Sequence, residues 1–425
     1  MLIDAPYVPA GSVQEKRAHM HSRTVFKNGV VFDGTSVSDA DVAVAGDRVV
    51  EIGVDLDGDE VIDCTGMSVV PGLFDCHVHV MARDLNVART EQQAFSLQYF
   101  EAGRNLSLLL DQGITSARDA AGADLGVKQA IEHKLIEGPR LQIAIVMLSQ
   151  TGGHSDLHLP SGGERSVPMM LEHPGRPRSI VDGVDGPGGV RRGVREVLRA
   201  GADVIKIATT GGVMSLGDDP RHSHFRDDEL AAIVAEAAAA ETYVFAHAQG
   251  TEGIKAALRH GVRSIEHGYY LDDEAVALML KHEAWLVPTL SATRAIIDAA
   301  AGGVPIPAES LALAQEALEA HRASFALAVN AGVKVAMGTD TPPYWSPSAG
   351  NLDELGLMTE ASSMSAIEAW RTATSSAAKL LGHDDLGVIE PGALADIVVV
   401  DGDLLDLRGL RGRIRQVWLA GARVR

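Results

Sequence analysis

Apolar positions along this chain follow two rhythms. From residue 24 to about 70, short β-branched runs alternate with turns, as in Thr24-Val25-Phe26, Asp41-Val42-Ala43-Val44 and Arg48-Val49-Val50-Glu51-Ile52. Asn28-Gly29 and Ala45-Gly46-Asp47 between them are hairpin-type turn signals. The same character returns late, in Ala395-Asp396-Ile397-Val398-Val399-Val400 and Ile414-Arg415-Gln416-Val417-Trp418-Leu419. This pattern predicts one small β-sandwich made from both chain ends, residues 23–70 plus 384–425. Residues 1–22 are polar and aperiodic and predict a loose N-terminal arm.

Between them, over residues 71–383, apolar β runs alternate with Ala/Leu/Glu-rich helical stretches. The runs fall at 73–79, 114–118, 141–147, 203–208, 242–247, 263–267, 285–290 and 333–338. Asp227 and Ser365 read as helix N-caps. Eight β/α repeats predict an α/β chain with a (β/α)8 TIM barrel, flanked by the β-sandwich. The Gly-, Pro- and Arg-rich stretch from Pro160 to Gly193 lies between the third and fourth runs. Loops that long in compact domains are commonly functional, and this one is expected to form a lid at the barrel mouth.

Composition narrows the partners. With 46% hydrophobic and 22% charged residues over 425 positions, the chain has ordinary globular composition and enough apolar material for a large core. A formal net charge of −20 argues against nucleic acid and anionic membrane surfaces as partners. The two cysteines, Cys64 and Cys76, are too few for a disulfide framework and suit a reducing compartment. The first residues lack a basic segment leading into an apolar one, and no apolar run is long enough to span a membrane. A cytoplasmic location is expected.

Candidate chemistry sits at the ends of the predicted strands, where functional residues of such barrels gather. His77 and His79 are two apart, so on a strand both imidazoles face one side. His247, His267 and Asp340 also close apolar runs, and imidazole with carboxylate suits zinc or a related divalent ion. Lys206 lies within the apolar run Val204-Ile205-Lys206-Ile207-Ala208. It either snorkels out of the strand end or is held as a neutral amine by burial. Cys76 reads as packing, and Arg118 with Asp119 as a structural ion pair. His222 and His224 sit on a polar loop, where they touch either substrate or solvent. Tyr269, Tyr270, Tyr344 and Trp345 follow strand ends and can line a pocket.

Three of these segments resemble the amidohydrolase superfamily. They are Pro71-Gly72-Leu73-Phe74-Asp75-Cys76-His77-Val78-His79, Gly338-Thr339-Asp340 and Glu390-Pro391-Gly392-Ala393-Leu394-Ala395-Asp396-Ile397-Val398. Thr151-Gly152-Gly153-His154, Lys206-Ile207-Ala208-Thr209-Thr210-Gly211-Gly212-Val213-Met214-Ser215 and Ile265-Glu266-His267-Gly268 resemble one branch of it. That branch holds Xaa-Pro and Xaa-Arg dipeptidases, related carboxypeptidases and ochratoxin-degrading amidohydrolases. The resemblance implies two divalent metal ions per subunit, with Zn2+ the first expectation. His77, His79 and Asp340 would hold one ion, and His247 and His267 the other. Lys206, as N6-carboxylysine, would bridge them. Asp340 would also move protons, and His154 would bind or polarise substrate. The implied reaction is hydrolysis of an amide whose leaving group carries a carboxylate, such as a dipeptide, an N-acyl amino acid or an ochratoxin-type N-acyl aromatic amino acid. Relatives of this kind often form homo-oligomers. Two alternatives remain at this point: a mononuclear deaminase or cyclic-amide hydrolase of the same superfamily, and a non-catalytic scaffold. Lys206 speaks against the deaminase, and the intact ligand set against the scaffold.

Overall fold

The computed structural model describes residues 22–82, 92–156, 184–213, 219–306, 308–340 and 350–425. The expected arm at 1–22 therefore lies almost wholly outside the described residues. Strands from the two terminal segments share one sheet. Ile397–Asp401 runs antiparallel to Met67–Pro71, with Ile397 opposite Pro71 and Asp401 opposite Met67. They sit inside a six-stranded sheet whose other members are Val30–Phe32, Val37–Asp39, Ile414–Leu419 and Ala422–Arg423. A four-stranded sheet, in spatial order Arg48–Gly53, Asp41–Ala45, Arg23–Lys27 and Glu60–Asp63, shares an apolar core with it. Phe26, Val42 and Val44 from one sheet meet Val31, Val69, Val399 and Trp418 from the other. The Phe26 and Trp418 rings meet edge to face at 5.3 Å.

The central region is mixed α/β with parallel strands. Leu73–Val78, Ile114–Asp119 and Arg140–Ile143 form one sheet. Met147–Leu148, Ile205–Ala208, Val244–Ala248, Ser264–His267, Trp285–Val287 and Lys334–Val335 form the other. Leu73–Val78, Ile205–Ala208, Val244–Ala248 and Ser264–His267 are buried at every position. Burial on both faces is what a parallel strand covered by helices requires. Helices alternate with the strands, among them Leu97–Leu110, Gly186–Arg199, Asp227–Ala239, Thr251–Arg259 and Asp273–Lys281. Hydrogen bonds cross both junctions between the two sheets. Asp203 N donates to Ile143 O at 2.8 Å on one side. On the other, Cys76 N donates to Met337 O at 2.8 Å and Asp340 N to His77 O at 2.7 Å.

Several expectations are corrected. The run 141–147 is not one strand. Ile145 has φ of 66°, a left-handed conformation costly for a β-branched residue. It splits the run into Arg140–Ile143, which pairs with Ile114–Asp119, and Met147–Leu148, which pairs with the Lys206 strand. His154 lies in the turn that follows Leu148. Of the stretch 160–193, residues 160–183 lie outside the described residues, and 186–193 form the first half of the helix Gly186–Arg199. Ser365 caps its helix as expected, with its hydroxyl accepting from Glu368 N. Asp227 falls one position inside its helix.

Arg118 and Asp119 do not pair, because neighbours on a strand point to opposite faces. Arg118 binds Glu266 at 2.9 Å, while Asp119 accepts from Val80 N and Ala123 N. Cys76 packs with Phe74 and Val287, as expected.

Gly338 sets the distance between the last strand and the first. A Cβ there would lie 2.9 Å from His77 Cβ and 3.0 Å from His77 N. Gly338→Ala is therefore expected to destabilise the fold by about 1–3 kcal/mol, the usual cost of overpacking. Urea denaturation checks the loss. A Cβ at Gly338 would also fall against Val287 Cγ1, so both Val287 and His77 must shift, and turnover should fall with the displacement of His77.

Candidate active site

His77 and His79 project from the end of Leu73–Val78, and each has one ring nitrogen committed to the protein. His77 Nδ1 lies 2.8 Å from Glu266 Oε2, and His79 Nδ1 donates to Ala121 O at 2.8 Å. Both Nε2 atoms turn toward Asp340, with Oδ1 at 3.4 Å from His77 and 3.0 Å from His79. Neither approach has hydrogen-bond geometry, so Oδ1 has no hydrogen-bond partner among the described residues. Burial alone would raise the Asp340 carboxyl, but the two imidazoles hold it well below the usual carboxylate range.

The other two imidazoles follow the same rule. His247, within Val244–Ala248, donates from Nε2 to Gly211 O at 2.9 Å. Its Nδ1 is left for another partner. His267 Nδ1 meets Thr289 Oγ1 at 2.7 Å. Burial pushes both imidazoles well below their ordinary range, so they are neutral, as metal ligands must be. His267 follows Glu266 directly, yet both face the interior. The alternation is broken because His267 has φ of 74°. Asp340 has φ of 53°. Left-handed backbone at two site residues is strain of the kind found at functional sites.

Lys206 is 2% exposed, and its Nζ has no hydrogen-bond partner among the described residues. It lies 4.8 Å from the centre of the Phe245 ring. Burial pulls its amine down to about 8, against the opposing pull of Glu266 and Asp340. An orphaned amine and an orphaned carboxylate oxygen among four oriented imidazoles fit a divalent cation. One ligand atom each from His77, His267 and Asp340 lie within 4.8 Å of one another, a group that can hold a metal.

These residues line one cavity. His154 lines it too, stacked on His247 with ring centroids 4.0 Å apart and planes at 16°. Gly212 makes room for it, since a Cβ there would fall against the His154 ring. Tyr269 lines the cavity as well, its hydroxyl bonded to Thr293 Oγ1 at 2.7 Å. His222 is exposed and His224 buried, and neither is among the lining residues. Tyr344 and Trp345 lie outside the described residues. Met147, Val213, Gln249, Ala292 and Ile296 complete the lining. Sequence reasoning does not single out the four apolar ones, because apolar residues in a pocket wall carry the same pattern as core.

The arrangement defines a class: an α/β enzyme in which two buried His side chains and a half-buried Asp gather where parallel strands end and can hold a divalent metal. The Amidohydrolase family matches residues 68–424, and the chain belongs to that family. It is a hydrolytic enzyme acting on amide bonds. The chain is 35% identical over 352 residues to ochratoxinase of Aspergillus niger, covering 80% of this chain and 71% of the relative. It is similar to the crystal structure of a prolidase complexed with N-methylphosphonate-L-proline. The TM-score is 0.84 and the identity 37%, over 95% of this chain and 100% of that one. A crystal structure of a Xaa-Pro dipeptidase with methionine bound in its active site matches with TM-score 0.84 and 30% identity, over 95% of this chain and 99% of that one. No helix of the described residues is long and apolar enough to cross a membrane.

Proposed function

We propose that this chain is a binuclear metal-dependent hydrolase that cleaves an amide bond to a carboxylate-bearing leaving group. The observation that carries the reading is Lys206, a buried amine with no hydrogen-bond partner among the described residues, in a cavity with five imidazoles and a carboxylate. As a neutral amine it adds to carbon dioxide. A new N–C bond forms, a proton leaves, and the anionic carbamate of N6-carboxylysine results. Such an anion can bridge two cations, where an ammonium would be repelled. His77, His79 and Asp340 would hold one ion and His247 and His267 the other, with zinc the best match to this donor set. The strand order and the hydrogen bonds across both sheet junctions support a (β/α)8 barrel over 71–383. The shared core of the terminal sheets supports a β-sandwich over 23–70 plus 384–425.

When bound, two such ions lower the pKa of water and polarise the scissile carbonyl. Asp340 would accept the proton of the attacking water and return it to the leaving amine. The apolar wall of Met147, Val213, Ala292 and Ile296 suits an apolar or aromatic substrate group. Similarity to an ochratoxinase and to a prolidase supports dipeptides, N-acyl amino acids and ochratoxin-type amides as the substrate class. The buried free thiols of Cys64 and Cys76 support a cytoplasmic enzyme, and we read the working form as a homo-oligomer.

A hydrolysis screen tests the reading, with Xaa-Pro dipeptides, N-acyl amino acids and ochratoxin A offered to zinc-loaded protein. At least one carboxylate-terminated amide should be cleaved, and its C-terminally amidated counterpart spared. No hydrolysis of any of them would overturn it.

His154 is the residue assigned to the substrate. A charge-assisted hydrogen bond contributes roughly 1.5–3 kcal/mol, so His154→Ala should lose roughly 10- to 150-fold in kcat/KM while keeping both metals. If the variant also loses the preference for a free carboxylate, His154 reads the carboxylate. Equal slowing of free and amidated substrates places it on the carbonyl.

A further inference from the structure

The interior below the metal-ligand residues holds an ion pair that the reaction does not use. Glu266 is fully buried, and its two oxygens have different surroundings. Oε1 accepts from Ser264 Oγ at 2.6 Å and from Arg118 Nη2 at 2.9 Å. Oε2 faces His77 Nδ1 at 2.8 Å. Arg118 is itself fixed. Its Nε donates to Cys76 O at 2.8 Å, on the strand that carries His77, and its guanidinium lies 4.0 Å from the centre of the Phe245 ring. The carboxylate is thus held from one side by two donors and presents its other oxygen to one imidazole nitrogen.

We propose that Glu266, pinned by Arg118 and Ser264, is the positioning residue that keeps the proton of His77 on Nδ1 and the lone pair of Nε2 aimed at the metal. The inference rests on the reading of His77 as a metal ligand. An ionised carboxylate only accepts hydrogen bonds, so the nitrogen facing it must carry hydrogen. Partners of this kind orient metal-binding imidazoles and sharpen their affinity.

Glu266→Gln is the informative substitution, because it is isosteric and should reverse the tautomer. Arg118 and Ser264 both donate toward the Oε1 position, so the glutamine carbonyl oxygen must sit there. Its NH2 group then faces His77 Nδ1 and needs an acceptor. The proton moves to Nε2, and the lone pair that would hold a cation is lost. An analogous wrong-tautomer effect follows when the buried aspartate of a serine-protease triad is changed to asparagine.

The test combines two readouts. Zinc affinity is measured by competition with a chelator in wild type, Glu266→Gln and Ser264→Ala. The tautomer is read from the imidazole nitrogen resonances of 15N-histidine-labelled, metal-free protein at alkaline pH, with His77 assigned by its loss in His77→Gln. Wild type should show protonated Nδ1, and Ser264→Ala, with one of the two donors to Oε1 gone, should keep that tautomer and bind zinc with an affinity between those of wild type and Glu266→Gln. Glu266→Gln should show protonated Nε2 and bind zinc about 10- to 100-fold more weakly. A merely structural Glu266 would lower thermal stability without moving the proton. Protonated Nε2 in wild type would overturn the proposal, and this measurement stands even if Glu266→Gln does not fold. Unchanged zinc affinity in folded Glu266→Gln would also overturn it. Failure of wild type to bind zinc would instead overturn the metal assignment, while the tautomer is still read in the metal-free protein.

Discussion

Lys206→Ala should leave a folded protein that retains little divalent metal and almost no turnover. The side chain is buried with its amine unpartnered among the described residues, in a cavity it shares with five imidazoles and Asp340. Without the bridge, the two ions would lose their shared ligand and repel each other directly. Metal assistance is worth several kcal/mol at the transition state, so the loss in kcat/KM should be on the order of 10³-fold or more. Metal content by mass spectrometry and hydrolysis of the best substrate from the screen check this together. Added bicarbonate should not restore activity, because no amine remains to take up carbon dioxide. A variant with two metals and normal turnover would sink the carbamate assignment.

Asp340→Asn should behave differently. Asparagine keeps the shape and a carbonyl oxygen, so much of the fold and some metal should remain. It cannot take a proton from water or return one to the leaving amine. kcat should fall at least about 10²-fold, the usual scale for losing a general acid–base. Substrate-saturation kinetics separate the cases, since a large rise in KM with little change in kcat would assign Asp340 to substrate binding instead.

How far the sequence could be read depended on whether local pattern or long-range geometry decides each feature. The strands at Leu73–Val78, Ile205–Ala208, Val244–Ala248 and Ser264–His267 were legible because each is a short apolar run bounded by turn or helix signals. The pairing of the two chain ends was legible from shared β-branched character. The break in the third run was not, since nothing local marks Ile145 for a left-handed conformation. The partner of Arg118 was misread for a related reason. Sequence adjacency suggested Asp119, but strand alternation sends the two side chains apart, and Glu266 reaches Arg118 from 148 residues away. Glu266 stood in plain view beside His267, yet its role depends on which face each residue takes. Only the positive φ of His267 lets both point inward.

The central claim is that the site is binuclear, and a zinc titration of metal-free enzyme tests it most directly. Activity on a carboxylate-terminated amide should rise until two equivalents per chain are bound, and chelation should abolish it. Full activity at one equivalent, or activity that survives without metal, would contradict the account.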